Sequence, residues 1–265
     1  MTSDCSITVV KKNDSTQGSI IRPTFENPLS KAKQYSENVM MLEQNCKTTV
    51  IALAGINQAF GGIPPFNFLR AMGSIKANTI FVRDPNNKWF GDPISDLGAN
   101  PSEMACRLAQ ISTELCTSDL CFLGISSGAF AALMLASLIK VPCRVLAFSP
   151  QTCIHPDFLA SIGDSRYSKK LHGRSDEAPQ DVIPLISNAS NIHKIHVVQG
   201  TQEPLDCSHI ERLAIIPNVM IHSLQCGHNT AGYLKRRNDL HRTLSSFITN
   251  NDRELESLLS SSWFP

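Results

Sequence analysis

The chain has 265 residues, of which 42% are apolar and 18% charged, and its formal net charge is +1. That length suits one large α/β domain with an ample core, and so small a net charge provides no field to draw in nucleic acid or an anionic membrane. The nine scattered cysteines, the absence of a signal-peptide pattern at the start and the lack of any apolar run of membrane-spanning length lead us to expect a reduced, cytoplasmic protein.

In chain order, residues 6–10 and 19–22 are expected to pair as an antiparallel hairpin at a sheet edge. Short apolar runs then recur at 49–55, 78–82, 120–124, 144–148, 195–198 and 219–224. They are apolar on both faces, as parallel strands covered by helices should be. Helical patterns separate them, so the fold expected is α/β: a mostly parallel, doubly wound sheet with helices on both faces. Asn100, Pro101 and Glu103 spell a helix start, followed at helical spacing by Met104, Leu108, Ile111 and Leu115. An alanine-rich helix is expected over 127–140, stopping before Pro142. A third is expected over 229–249 with Leu240, Leu244, Phe247 and Ile248 inward, then a short one in 251–265. Residues 150–191 are polar and without clear periodicity. They read either as a small cap within the single domain or as a loop plus an ordinary crossover helix. The apolar loop 60–68 is expected to pack on the sheet, with a substrate wall or a dimer contact as the alternatives.

The strongest local signal is Gly124-Ile125-Ser126-Ser127-Gly128, which matches G-x-S-x-G. A serine used as a nucleophile must stand clear of the backbone on a tight strand-to-helix turn. Such a turn leaves no room for side chains two residues to either side, which glycine satisfies. The apolar run 120–124 leads into the motif and the alanine-rich helix follows, the context this motif requires.

A serine nucleophile needs a base, and the base needs an orienting carboxylate. His228 follows Gly227 just after the last strand, where it can reach a serine on the same sheet edge. For the acid, the segment after the strand at 195–198 offers Glu203, three residues past Gly200, and Asp206, at the head of a helix; Asp206 is preferred. One oxyanion donor is expected from the Ser127 N–H and the other, by position, from Ile56. The loops after residues 55, 124, 200 and 224 all leave the carboxyl ends of parallel strands, where an open α/β sheet binds its ligands.

On these residues the chain resembles the α/β-hydrolase superfamily, over residues 48–249. Further stretches resemble a narrower, poorly characterised group of bacterial hydrolase-like proteins: Arg83-Asp84-Pro85 with Trp89-Phe90, Phe148-Ser149-Pro150-Gln151, and Asp206 with His209 and Leu213. That resemblance also favours Asp206 over Glu203. The superfamily resemblance implies a serine hydrolase acting on a small-molecule carboxylic ester or thioester, with neither metal nor organic cofactor. Asn57, Asp84 and Trp89 are candidate substrate contacts; otherwise Asp84 braces a turn and Trp89 packs on the sheet's flank. Two other readings remain: an acyltransferase on the same residues, and a non-catalytic binding protein of this fold. His193 and His196, three apart on a strand, point to opposite sides and do not form a metal pair. No phosphate-binding glycine motif is present.

Overall fold

The chain folds around β1 (Ala32–Ser36), β2 (Val39–Leu42), β3 (Thr48–Leu53), β4 (Asn78–Val82), β5 (Asp119–Ile125), β6 (Cys143–Phe148), β7 (Ile192–Gly200) and β8 (Val219–Leu224). The structure is a computed structural model that describes residues 32–56 and 66–260. The eight strands form one sheet in the order β1-β2-β4-β3-β5-β6-β7-β8. From β4 to β8 neighbouring strands run parallel, whereas β1 pairs antiparallel with β2 and β2 antiparallel with β4. All six apolar runs of the sequence lie in or overlap these parallel strands. The hairpin expected at 6–22 lies outside the described residues; the antiparallel edge seen is β1 and β2.

The helices are α1 (Leu69–Met72), α2 (Pro101–Glu114), α3 (Ser127–Leu138), α4 (Pro156–Ile162), α5 (Ser168–Leu171), α6 (Ile183–Ser187), α7 (Pro204–Glu211), α8 (Thr230–Arg236), α9 (Leu240–Ile248) and α10 (Asp252–Ser260). Strand residues alternate between two cores. Ile51, Phe122, Val145 and Val197 point to the face covered by α2, α3 and α6. Val50, Cys121, Leu146 and Val198 point to the face covered by α8, α9 and α10. Each large side chain so buried contributes roughly 1.5–3 kcal/mol. The α3 sequence is apolar all round because this helix is sandwiched: every residue but Leu138 is buried.

The α2 start is as the sequence spells it. Asn100 Oδ1 accepts the Glu103 N–H at 3.0 Å, and the Glu103 carboxylate accepts the Ala99 N–H at 2.8 Å. The helix expected over 229–249 is instead two, α8 and α9. The break is at Asn238, whose φ of 61° is left-handed, a conformation asparagine tolerates better than most residues. Among the described residues no helix is long and apolar enough to cross a membrane.

Two features position the site. The chain leaves β3 for β4 on one side and returns to β5 on the other, so the carboxyl ends of β3 and β5 border a topological switch point. The crossover from β6 to β7 carries α4, α5 and α6. Of these, α6 packs on α3 through Ile186, with Val182 just before it, as an ordinary crossover helix would; α4 and α5 are additional.

Candidate active site

Ser126 sits between β5 and α3 with φ 54° and ψ −121°, a region that costs a residue with a side chain of order 1–3 kcal/mol. Close packing holds it there. A Cβ on Gly124 would lie 2.2 Å from the Gly128 carbonyl oxygen, and one on Gly128 2.3 Å from the Leu53 carbonyl oxygen. Both positions therefore require glycine. The Ser126 N–H donates to the Phe148 carbonyl at 2.8 Å, and its own carbonyl accepts the Phe130 N–H at 3.0 Å as α3 begins.

His228 follows β8 and is tied to the end of β6, because the Ser149 hydroxyl donates to its carbonyl at 2.7 Å. Its Nε2 lies 3.0 Å from Ser126 Oγ, and its Nδ1 lies 2.6 Å from Asp206 Oδ2. An ionised Asp206 can only accept, so Nδ1 carries the proton and Nε2 offers its lone pair to the serine. Asp206 is in the first turn of α7, where the helix dipole favours a carboxylate, and its side chain is 1% exposed. Glu203 lies just before α7 with its carboxylate 3.7 Å from Arg166 Nη1. The carboxylate that meets His228 is thus that of Asp206.

Four neighbours complete the surroundings, and of these only His209, in the stretch with Asp206 and Leu213, carried a signal in the sequence. Arg166 Nη1 donates to Asp206 Oδ1 at 2.9 Å. Asp164 clamps the same guanidinium, and the buried His209 reaches Asp164 at 3.3 Å. Burial works against charge on both Asp164 and Arg166. It is outweighed: His209 and Arg166 hold Asp164 well below the usual carboxylate range, and Asp164 and Asp206 push Arg166 above its ordinary value. Tyr167 packs edge-on against Trp89, ring centroids 5.6 Å apart, and its hydroxyl faces Ser126; burial raises its pKa. All but His209 come from residues 164–167, a polar stretch with no periodicity to mark it.

The Ser127 N–H, at the start of α3, donates to no protein acceptor among the described residues. The Ile56 N–H donates to Ser127 Oγ at 2.9 Å. Asn57 lies outside the described residues. Asp84 braces its turn: its carboxylate accepts the N–H groups of Asn86, Lys88 and Phe90 at 3.1, 2.6 and 2.9 Å. Burial raises its pKa, opposed by these bonds. Trp89 is fully buried, with its indole N–H donating to Gln151 Oε1 at 2.7 Å. Both side chains are thus committed to protein partners.

A groove of about 510 Å³ runs between residues 66–71 and α8–α9. Its apolar wall includes Phe66, Phe68, Ile125 and Leu240, and Arg70, Lys235 and His241 also line it. Ile125 and Asn229, both in its lining, are the chain neighbours of Ser126 and His228.

No protein-family model matches the sequence, and no curated protein matches it. Solved structures do. The capsule O-acetyltransferase of Neisseria meningitidis serogroup A is 16% identical, over 81% of this chain and 93% of its own, with a TM-score of 0.59. A mutant of that enzyme has been solved in complex with CoA. MenH from S. aureus is 11% identical over 82% of this chain and 100% of its own, with a TM-score of 0.54. The Pyrococcus furiosus esterase Pf2001 is 12% identical over 80% of this chain and 84% of its own, with a TM-score of 0.55. At such low identity the likeness is one of fold, and the fold of this chain is that of the α/β-hydrolases.

Proposed function

We propose that the protein is a serine hydrolase that cleaves a carboxylic ester or thioester through an acyl-enzyme on Ser126. The observation that carries this reading is the chain Ser126–His228–Asp206, with links of 3.0 and 2.6 Å. In the proposed reaction Ser126 Oγ attacks the carbonyl carbon while its proton passes to His228 Nε2. The tetrahedral oxyanion takes the Ser127 N–H, and the Ile56 N–H as second donor, shared with the Ser127 hydroxyl that now accepts it. As the carbonyl re-forms, the leaving alkoxide or thiolate takes the proton from His228. Water then attacks the acyl-enzyme by the same route and releases the acid. Asp206 holds the imidazole and stabilises its cationic form. Residues 156–171, which add α4 and α5 to the ordinary crossover, act as a cap, bringing Tyr167 over Ser126.

A second reading is acyl transfer to an alcohol or sugar in place of water. It is favoured by the likeness in fold to an O-acetyltransferase that has been solved with CoA. It is also favoured by the groove, in which apolar residues and the cations Arg70 and Lys235 occur together without an acid among the described lining. An acyl group on an anionic carrier would suit that lining.

The test is turnover of a panel of p-nitrophenyl esters and acyl-CoA thioesters by the wild type and Ser126→Ala, with and without added alcohol acceptors. Free acid formed by the wild type alone supports hydrolysis, and a transfer product supports the second reading. Equal turnover by Ser126→Ala would remove both.

A further inference from the structure

The crossover after β6 grips the far side of the carboxylate that meets His228. Arg166 Nη1 donates to Asp206 Oδ1 at 2.9 Å, while Asp206 Oδ2 takes the His228 Nδ1–H at 2.6 Å. The guanidinium is itself held by Asp164, Nε to Oδ1 at 3.0 Å and Nη2 to Oδ2 at 2.8 Å. Asp164 lies 3.3 Å from His209 Nε2, and His209 Nδ1 accepts the Thr152 N–H at 3.2 Å. That last bond places the His209 proton on Nε2, aimed at Asp164. The side chains of Asp164 and Asp206 are each 1% exposed and that of His209 is 0% exposed. Such a chain is too well buried to be a weak surface pair.

The charges decide what the chain does. Asp206 needs a negative charge to stabilise a cationic His228. A bare arginine on its other oxygen would cancel that charge. Asp164, bidentate on Arg166, neutralises the arginine instead, so Arg166 can fix the carboxylate without cancelling its field. The other charged or titratable groups here are Glu203, 3.7 Å from Arg166, Tyr167, whose ring lies 5.6 Å from the guanidinium, and Cys207, beside Asp206 in α7. Resting on the reading of Ser126, His228 and Asp206 as a triad, we propose that Arg166 is a positioning residue for Asp206. Asp164 sets how much of its positive charge His228 feels. The docking of residues 164–166 thereby becomes a condition for an assembled triad.

The test is an NMR titration of His228, alongside the pH dependence of fluorophosphonate labelling, in the wild type, Arg166→Gln, Arg166→Lys and Asp164→Asn. Removing the positive charge in Arg166→Gln should move the His228 midpoint up by roughly one unit. Asp164→Asn leaves Arg166 uncompensated and should move it down. Labelling at the plateau should fall about ten- to hundredfold in Arg166→Gln, as expected for a misplaced acid, and partly recover in Arg166→Lys. Opposite shifts from the two neutralising variants are the signature of this charge balance. Unchanged midpoints, or shifts in the same direction, would overturn it. Asp164→Asn nearly preserves shape, so its shift decides the matter if Arg166→Gln does not fold. The titration reads the coupling whether or not the protein labels. Failure of the wild type to label would therefore count against the triad reading alone.

Discussion

Asp206 shows how a single residue is selected by its surroundings. Two acids follow β7, and a spacing rule alone admits either. Glu203 stands outside α7, half-buried, while Asp206 is inside its first turn, buried and shared between His228 and Arg166. Asp206→Asn should lower labelling at Ser126 by about 10³–10⁴-fold, because an amide favours the wrong imidazole tautomer. Glu203→Gln should leave it within about twofold, and equal losses in the two variants would contradict the assignment. Gly128 is the second residue to test. A Cβ there would meet backbone at 2.3 Å, so Gly128→Ala should cost about 1–3 kcal/mol, read as a lower urea midpoint. The serine motif and the histidine after Gly227 were legible because close packing and chain order dictate residue type there. Arg166 was not, because a half-buried counter-ion is defined by what lies across space from it, and Asp164 to Tyr167 resemble any polar loop.

At the scale of elements, the strands and α2, α3 were readable from apolar runs and caps. The division of α8 from α9 was not, since the left-handed Asn238 interrupts an otherwise continuous helical pattern. The antiparallel β1–β2 pair was missed for a related reason: residues 32–42 are mixed in polarity, and the half-exposed β1 buries little. One pairing of elements carries a pH prediction. His196 on β7 and His222 on β8 stack 5.3 Å apart, their facing nitrogens 3.0 Å from each other. The Asp252 carboxylate of α10 lies 3.5 Å from His196 and also pairs with Lys194. Burial, reinforced for His196 by its neighbour His222, holds both histidines down to about 4. Both are then neutral when folded, while the unfolded chain takes up protons below its ordinary value near 6.5. Stability is full above about pH 6.5 and is lost as pH falls toward 4. Urea midpoints should drop between pH 7 and pH 5, and the drop should shrink in His222→Gln. A wild type with the same midpoint at both values would contradict this.

Over the whole molecule, one sheet brings four distant loops to a common edge. Ile56, Ser126, Asp206 and His228 come from the ends of β3, β5, β7 and β8, and only the strand order puts them together. The expectation that these loops share an edge was available from the sequence, because parallel strands alternating with helices leave all their carboxyl ends on one side. The strand order was not, nor was the groove between residues 66–71 and α8–α9. If that groove receives an anionic acyl carrier, the double variant Arg70→Gln with Lys235→Gln should raise KM for acyl-CoA about tenfold and leave KM for neutral esters unchanged. An equal effect on both substrates would remove the groove from the account.

Whether His228 activates Ser126 is read by labelling with a fluorophosphonate. Wild-type protein should be labelled, while Ser126→Ala and His228→Ala, both folded, should not. A folded wild type that resists the probe, or a His228→Ala variant labelled as fast as wild type, would contradict it.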